Sequence, residues 1–271
     1  MKIFAIRDEH DTTNKDLAYL IYYEREKRFY IELPDDADSW ETPLLLASFL
    51  KRGETTVNSY WSKVWVQQRI IPSDRQNLGQ ILKDNGLTEY DEYDMLMLTM
   101  GKCPQDDYYL VQMDEFSFPR EIIARFFIKI EDVVPLNDFN LLVFFRNGKV
   151  KKCSLKNHFR RYRKFNVLLN DPALFDQVRI QAGGYGVTWD EALNISDLVL
   201  YEAGRPIPLS ASDFSNFVKH RIIDRAEAAE LLDCSRQNID DLTKRGKLHP
   251  VKSTAKSTLY LKSEILKRSW L

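Results

Sequence analysis

The stretch Glu227-Ala228-Ala229-Glu230-Leu231-Leu232-Asp233-Cys234-Ser235-Arg236-Gln237-Asn238-Ile239 gives the clearest structural signal in the sequence. Its apolar residues recur at helical spacing, which predicts a short helix over 224–232. Asp233-Cys234 then reads as a tight turn. Because serine is a preferred N-cap, Ser235 predicts the start of a second helix over 236–244. The stretch therefore predicts two short helices joined by a turn.

Two helices joined in this way form a helix-turn-helix, whose second helix can enter the major groove of DNA. The residues that follow predict a hairpin over 248–261 and a last helix from Ser263. Together with Lys244-Arg245-Gly246-Lys247-Leu248, the stretch resembles the excisionase and MerR-type winged helix-turn-helix family. That resemblance implies contacts with bases or phosphates from Ser235, Arg236, Gln237, Asn238, Lys244, Arg245, Lys252 and Lys256.

Three aspartates depart from the family pattern. Asp233 replaces the turn glycine, although aspartate tolerates the left-handed conformation better than most residues. Asp240 and Asp241 lie on the second helix. Asp240 is four residues from both Arg236 and Lys244, so it can pair with them, or it can repel phosphate. A degenerate helix-turn-helix that docks a protein is the alternative.

The middle of the chain predicts a small antiparallel unit over 138–205. Asn147-Gly148 between two strand-like runs is the strongest short hairpin signal. Together with Asp171-Pro172-Ala173-Leu174-Phe175, Val187-Thr188-Trp189 and Asp197-Leu198-Val199-Leu200-Tyr201, it resembles a small bacterial domain of unknown function found beside helix-turn-helix modules. The resemblance implies a compact α+β fold and supplies no catalytic residue.

A run of basic residues without an acidic one extends from Arg146 to Lys164, interleaved with aromatic residues. Such a surface can neutralise phosphates and add to DNA affinity. The alternatives are a solvated surface or docking onto the acidic front of the chain. The candidate phosphate contacts are Lys149, Lys151, Lys152, Arg160, Arg161 and Arg163.

Residues 1–137 form an acidic region, with 16 Lys and Arg against 25 Asp and Glu, a net charge of 16 − 25 = −9. The pattern predicts a strand over 29–33 and helices over 42–50, 73–83 and 93–100. Stretches 61–66, 69–78, 90–93 and 105–110 are similar to the N-terminal part that accompanies HipA-type toxin kinases, which implies a protein partner or dimerisation.

Arg69, Arg75 and Gln76 are candidate anion ligands in this acidic region. The alternative is a buried structural network of Arg69 with Asp106 and Asp107. The tryptophans are expected in the core rather than in a ligand platform.

The remaining composition excludes several classes of protein. No run approaches the ~18 apolar residues of a membrane span, so we expect a cytoplasmic protein without membrane contact. The three cysteines and four histidines show no ligand spacing, and no P-loop, GxSxG or HExxH motif occurs. We therefore expect no catalytic residue, no metal and no cofactor.

These patterns predict a multi-domain α+β protein: two mixed α+β domains (1–137 and 138–205), a linker (206–220) and a winged helix-turn-helix (221–271). The expected function is transcription regulation in a bacterium or phage, by a homodimer that binds double-stranded DNA. The alternative is a non-enzymatic interaction protein, such as an antitoxin-like or phage or defence accessory factor, with weak or no DNA binding.

Overall fold

The computed structural model describes residues 1–114 and 117–269 and shows three successive units built from helices and antiparallel sheets. The predicted α+β class is confirmed. None of the helices described is long and apolar enough to cross a membrane. The first unit contains β1 (Lys2–Asp8), β2 (Ala18–Tyr23), β3 (Arg28–Glu32), α1 (Leu44–Leu50), β4 (Thr56–Val57), α2 (Ser59–Gln67), α3 (Leu78–Asp84), α4 (Glu92–Thr99), β5 (Tyr108–Met113) and α5 (Arg120–Phe127).

The first unit is a five-stranded sheet in the order β4-β3-β2-β1-β5 that is covered on both faces. Phe4, Leu20 and Ile31 pack on one face against residues of α1, α2 and α4. Ile3 and Ile21, on the other face, join a core with residues of α5. Burial on both faces removes the alternation of apolar and polar residues, so the sequence pattern predicts only β3.

Two predicted helices begin later than the sequence indicates. Pro43, rather than Thr42, is the N-cap of α1, and the Thr42 hydroxyl donates to the Asp38 carbonyl at 2.7 Å. The segment 73–77 forms turns, in which the Arg75 amide donates to the Pro72 carbonyl, so α3 starts at Leu78. Ser73 therefore does not cap this helix.

The second unit starts at β6, eight residues before the predicted domain boundary at 137/138. Residues of β6 pair with β7 from Ile130 to Leu136, so this strand belongs to the second sheet, whose order is β12-β8-β7-β6. The elements are β6 (Ile130–Leu136), β7 (Asn140–Phe145), β8 (Val150–Ser154), α6 (Lys156–Arg161), α7 (Asn166–Asn170), α8 (Pro172–Phe175), β9 (Arg179–Ile180), β10 (Gly186–Thr188), β11 (Asn194–Ser196), α9 (Asp197–Ala203) and β12 (Arg205–Pro206). The expected Asn147-Gly148 hairpin joins β7 and β8.

The segment expected to be a linker, 206–220, contains a helix. This helix, α10 (Ala211–Arg221), starts with a capping box in which Ser210 and Asp213 each bond the other's backbone amide. Its Phe214 ring packs edge-on against Phe144 of β7, with 5.2 Å between ring centroids. Capping and packing together order the segment. The third unit follows with β13 (Ile222–Asp224), α11 (Arg225–Leu231), α12 (Arg236–Lys244), β14 (Lys252–Ser253), β15 (Thr258–Leu261) and α13 (Lys262–Ser269).

Candidate nucleic-acid interface

The third unit packs three helices against a small sheet in the order β13-β15-β14. Ala228 of α11, Ile239 of α12, Tyr260 of β15 and Ile265 of α13 are all fully buried in one core. Because each helix contributes to this core, the position of α12 is fixed by packing on one side, and its other side faces solvent.

The turn between α11 and α12 has the geometry that the sequence predicts. Asp233 has a φ of +48°, and the Cys234 amide donates to the Ala229 carbonyl at 3.0 Å. The Ser235 hydroxyl accepts a hydrogen bond from the Asn238 amide at 3.2 Å, which caps α12. Ser235 thus has a structural role at the start of this helix.

The predicted contact residues of α12 lie on its exposed side. Arg236, Gln237, Asn238 and Lys244 are exposed, and the exposed Arg245 is the C-cap. They form a polar surface next to the buried residues that hold the helix in place.

Asp240 pairs with a residue that sequence reasoning did not single out. Both of its carboxylate oxygens accept from the Arg225 guanidinium, at 2.8 and 3.1 Å, in place of the pairs with Arg236 and Lys244 that the spacing allows. Arg225 starts α11 and lies 15 residues away, so no local spacing could have revealed it. The pair neutralises one of the two carboxylates on α12.

A polar groove separates the start of α12 from the hairpin of β14 and β15. Residues 252–258 of this hairpin are called the wing. Its basic side chains are Arg225, Arg236 and Lys256, and its hydroxyl groups come from Thr254, Ser257 and Thr258. The wing turn is closed by the Thr254 amide, which donates to the Ser257 carbonyl at 2.8 Å. Lys252 and Lys256 are exposed on the wing. Asp224 also lines the groove and Arg225 is held by Asp240, so the cations suited to phosphate oxygens are Arg236 and Lys256.

Part of the basic run in the second unit is used inside that unit. The Lys151 ammonium donates to the Tyr201 carbonyl and lies 3.9 Å from the centre of that ring. Lys149 approaches the same ring at 5.6 Å, and its hydrogen bond lowers the pKa of Tyr201. Lys151 faces the core side of its strand and is half-buried, so its ammonium has a partner inside the unit, and its role as a phosphate contact stays a prediction.

The other candidate cations of this run remain exposed. Lys152 lies on β8 directly opposite Arg205 of β12, which the sequence analysis did not single out. Like charges at opposed positions of a sheet repel each other, and an anion between them would relieve that repulsion. The remaining exposed candidates are Arg160, Arg161 and Arg163.

A buried charge cluster lies between the first and second units. The Lys129 ammonium is 3.0 Å from Asp197 and 3.4 Å from Glu32, and it lies 3.8 Å from the centre of the Tyr185 ring. The Glu32 carboxylate also accepts from Arg125 at 2.8 Å. Burial raises the pKa of Asp197, an effect that Lys129 opposes. Because Lys129, Glu32, Asp197 and Tyr185 are all below 5% exposed, the cluster joins the two units.

The candidate anion ligands of the first unit are not gathered into one site. Arg69 is buried, pairs with Asp106 and stacks on Trp65 at 3.8 Å, as the structural alternative expects. Asp107 is not part of this pair and lies 3.4 Å from His10. Arg75 and Gln76 are exposed.

The tryptophans do not all lie in the core. Trp65 and Trp189 are buried, but Trp40 is 93% exposed and Trp61 is 39% exposed. Trp40 is the most exposed large hydrophobic residue in the part of the chain that the structure describes, which makes it a candidate contact.

Comparison with known proteins identifies one region of the chain. Residues 130–206 match DUF2442, a protein family of unknown function. No curated protein and no solved structure matches the chain. The resemblance of the C-terminal residues to excisionases and MerR proteins, and of the first unit to the HipA-associated part, stays a prediction. The matched range begins with β6 and ends with β12, so the similarity to DUF2442 coincides with the second unit.

Proposed function

We propose that this chain is a DNA-binding regulatory protein that contacts double-stranded DNA through α12 and the wing. The observation that carries the proposal is the exposure of α12 beside the groove formed with the wing, where Arg236 and Lys256 face solvent. A helix held by its inner face and bearing arginine and amides on its outer face can be inserted into a major groove.

The biological setting follows from the same proposal. A regulator of this type acts in the cytoplasm of a bacterium or in a phage-infected cell. A homodimer would place two copies of α12 on the two halves of a palindromic site. The exposed cations Lys152, Arg160, Arg161 and Arg163 would add contacts to phosphates outside the half-site.

A gel-shift series tests the proposal. The DNA sequence that the wild-type chain prefers is first selected from a random duplex library. Arg236→Ala is expected to weaken binding and to reduce the preference for this selected sequence over random duplex. Lys152→Ala is expected to lower the slope of log affinity against log salt by about 0.9, the value for one phosphate contact. Lys267→Ala, an exposed lysine on α13, is the control and should change neither. Failure of the chain to bind any genomic duplex at low salt would contradict the proposal.

The second candidate function is that of a non-enzymatic protein-interaction factor, and the first unit favours it. Trp40 and Leu44 are 93% and 88% exposed, and the exposed acidic residue Asp36 precedes them in the sequence. Tryptophan is enriched among residues that dominate binding energy at protein interfaces. Two results together would support this alternative. The wild-type chain, but not Trp40→Ala, would capture a partner with a basic, apolar surface, and the chain would not bind DNA.

A further inference from the structure

The outward face of α12 has an acidic residue at its centre. Ile239 is fully buried and Leu242 and Thr243 are half-buried, which fixes the side that faces the core. With 3.6 residues per turn, Gln237, Asp241 and Lys244 lie along the opposite side, and all are exposed. Asp241 is therefore the middle residue of the face that a major groove would receive.

The carboxylate of Asp241 differs from that of its neighbour Asp240. Asp240 is held by Arg225 through both oxygens. In the part of the chain that the structure describes, no hydrogen bond or ion pair to the Asp241 carboxylate is recorded; its backbone carbonyl accepts from the Arg245 amide at 3.0 Å. Asp241 thus presents an acceptor to solvent.

An unpaired carboxylate discriminates between the four bases by charge and hydrogen bonding. A carboxylate only accepts hydrogen bonds. In the major groove guanine presents two acceptors, thymine an acceptor and a methyl group, and adenine an acceptor beside its amino group. Cytosine presents an amino donor, N4, and is the base that aspartate and glutamate recognise.

We propose that Asp241 selects a cytosine in the DNA site by accepting a hydrogen bond from its N4 amino group. This inference rests on the proposed function. The cations Arg236, Lys244 and Lys256 lie on the same helix or across the groove, where they offset repulsion between Asp241 and the phosphates. Asp241 is then a specificity-determining residue rather than a defect in a DNA-binding helix.

Selection from a random duplex library with the full-length chain tests this assignment. The wild-type chain is expected to enrich a motif with one cytosine preferred about tenfold, which is within the range for one good base contact. Asp241→Asn should change that cytosine to adenine, because an amide can donate to N7 and accept from N6. Asp241→Ala should remove the preference, and Asp240→Ala should leave it intact.

The possible outcomes separate this inference from the proposed function. A wild-type motif that neither Asp241 variant changes overturns the role of Asp241 and leaves DNA binding standing. Tighter binding of all duplexes by Asp241→Ala, with an unchanged motif, shows simple repulsion and also overturns it. If the wild-type chain binds no duplex, the proposed function and this inference fall together. Circular dichroism of each variant verifies that the exposed substitutions leave the fold intact.

Discussion

Lys129 is a buried cation at the junction of the first two units. Its side chain is 2% exposed, and its ammonium lies between the carboxylates of Glu32 and Asp197. Taking a charge out of water costs several kcal/mol unless partners compensate for it. Lys129 supplies that compensation to two acids, Glu32 from the first unit and Asp197 from the second. The three charges can therefore be buried together at the junction.

Lys129→Met is expected to lower the free energy of unfolding by about 3–5 kcal/mol, because the buried Asp197 carboxylate loses its cation and Glu32 keeps only Arg125. Urea denaturation measures the loss. Lys63→Met is the control, since Lys63 pairs with Glu92 at the surface at 3.2 Å and such pairs contribute about 1 kcal/mol or less. Equal losses in the two variants would show that the cluster does not hold the units together.

The same variant has a defined pH dependence. Burial raises the pKa of Asp197 and Lys129 lowers it, so removing Lys129 raises that pKa further. A carboxyl whose pKa is higher in the folded state than in the unfolded state contributes its full stability at pH below the unfolded-state pKa. That contribution is lost as the pH rises through the folded-state pKa. The deficit of Lys129→Met should therefore be smaller at pH 5 than at pH 8, and a pH-independent deficit would contradict this account.

At the scale of elements, the turn over 182–184 lies against the backbone of β6 in its own unit and against the Tyr23 side chain of the first unit. Gly183 and Gly184 have φ values of +66° and +80°. A Cβ on Gly184 would overlap the Ile130 carbonyl oxygen, and one on Gly183 would overlap the Tyr23 hydroxyl. The two glycines thus allow the turn to lie against both units.

Gly184→Ala is expected to destabilise the protein more than Gly148→Ala. Both glycines have positive φ, so alanine costs about 1–2 kcal/mol of backbone strain at each. Only position 184 adds a clash with backbone, because nothing lies within 4 Å of a Cβ at Gly148. Thermal unfolding monitored by circular dichroism compares them, and the same midpoint for both variants would refute the argument.

Elements fixed by local chemistry could be predicted from the sequence, and elements fixed by distant contacts could not. The Asn147-Gly148 hairpin and the Ser235 cap depend on residues next to each other. Strand β6 belongs to the second sheet because it pairs with β7. Helix α10 is held in place partly by the contact of Phe214 with Phe144. Neither partner is visible in the local pattern.

At the scale of the whole molecule, the sequence predicts where positive charge accumulates but not which cations are free. Lys151 and Arg160 belong to the same basic run. The Lys151 ammonium donates a hydrogen bond to the Tyr201 carbonyl, whereas Arg160 is exposed. Lys151 lies on the side of β8 that faces the core, and Arg160 lies on the solvent-exposed side of α6, so the difference depends on how each element packs. Separating solvent-facing cations from internal ones therefore required the fold.

The last prediction concerns the exposed arginines of the second unit. If Arg160, Arg161 and Arg163 contact phosphates while α12 is bound, replacing all three by alanine should lower the salt slope of DNA binding by about 3, at about 0.9 per contact. The preference for the selected sequence should stay, because phosphate contacts do not read bases. Fluorescence anisotropy at a series of salt concentrations measures both quantities.

The control for this triple variant removes the same charge from the first unit. Lys51, Arg75 and Lys83 are exposed there. If their replacement by alanine lowers the slope as much as the arginine variant does, only net charge matters, and the arginines do not contact DNA. A slope lowered by the arginine variant alone would place the second unit along the duplex, beside the site occupied by α12, so that both units share one DNA-binding surface.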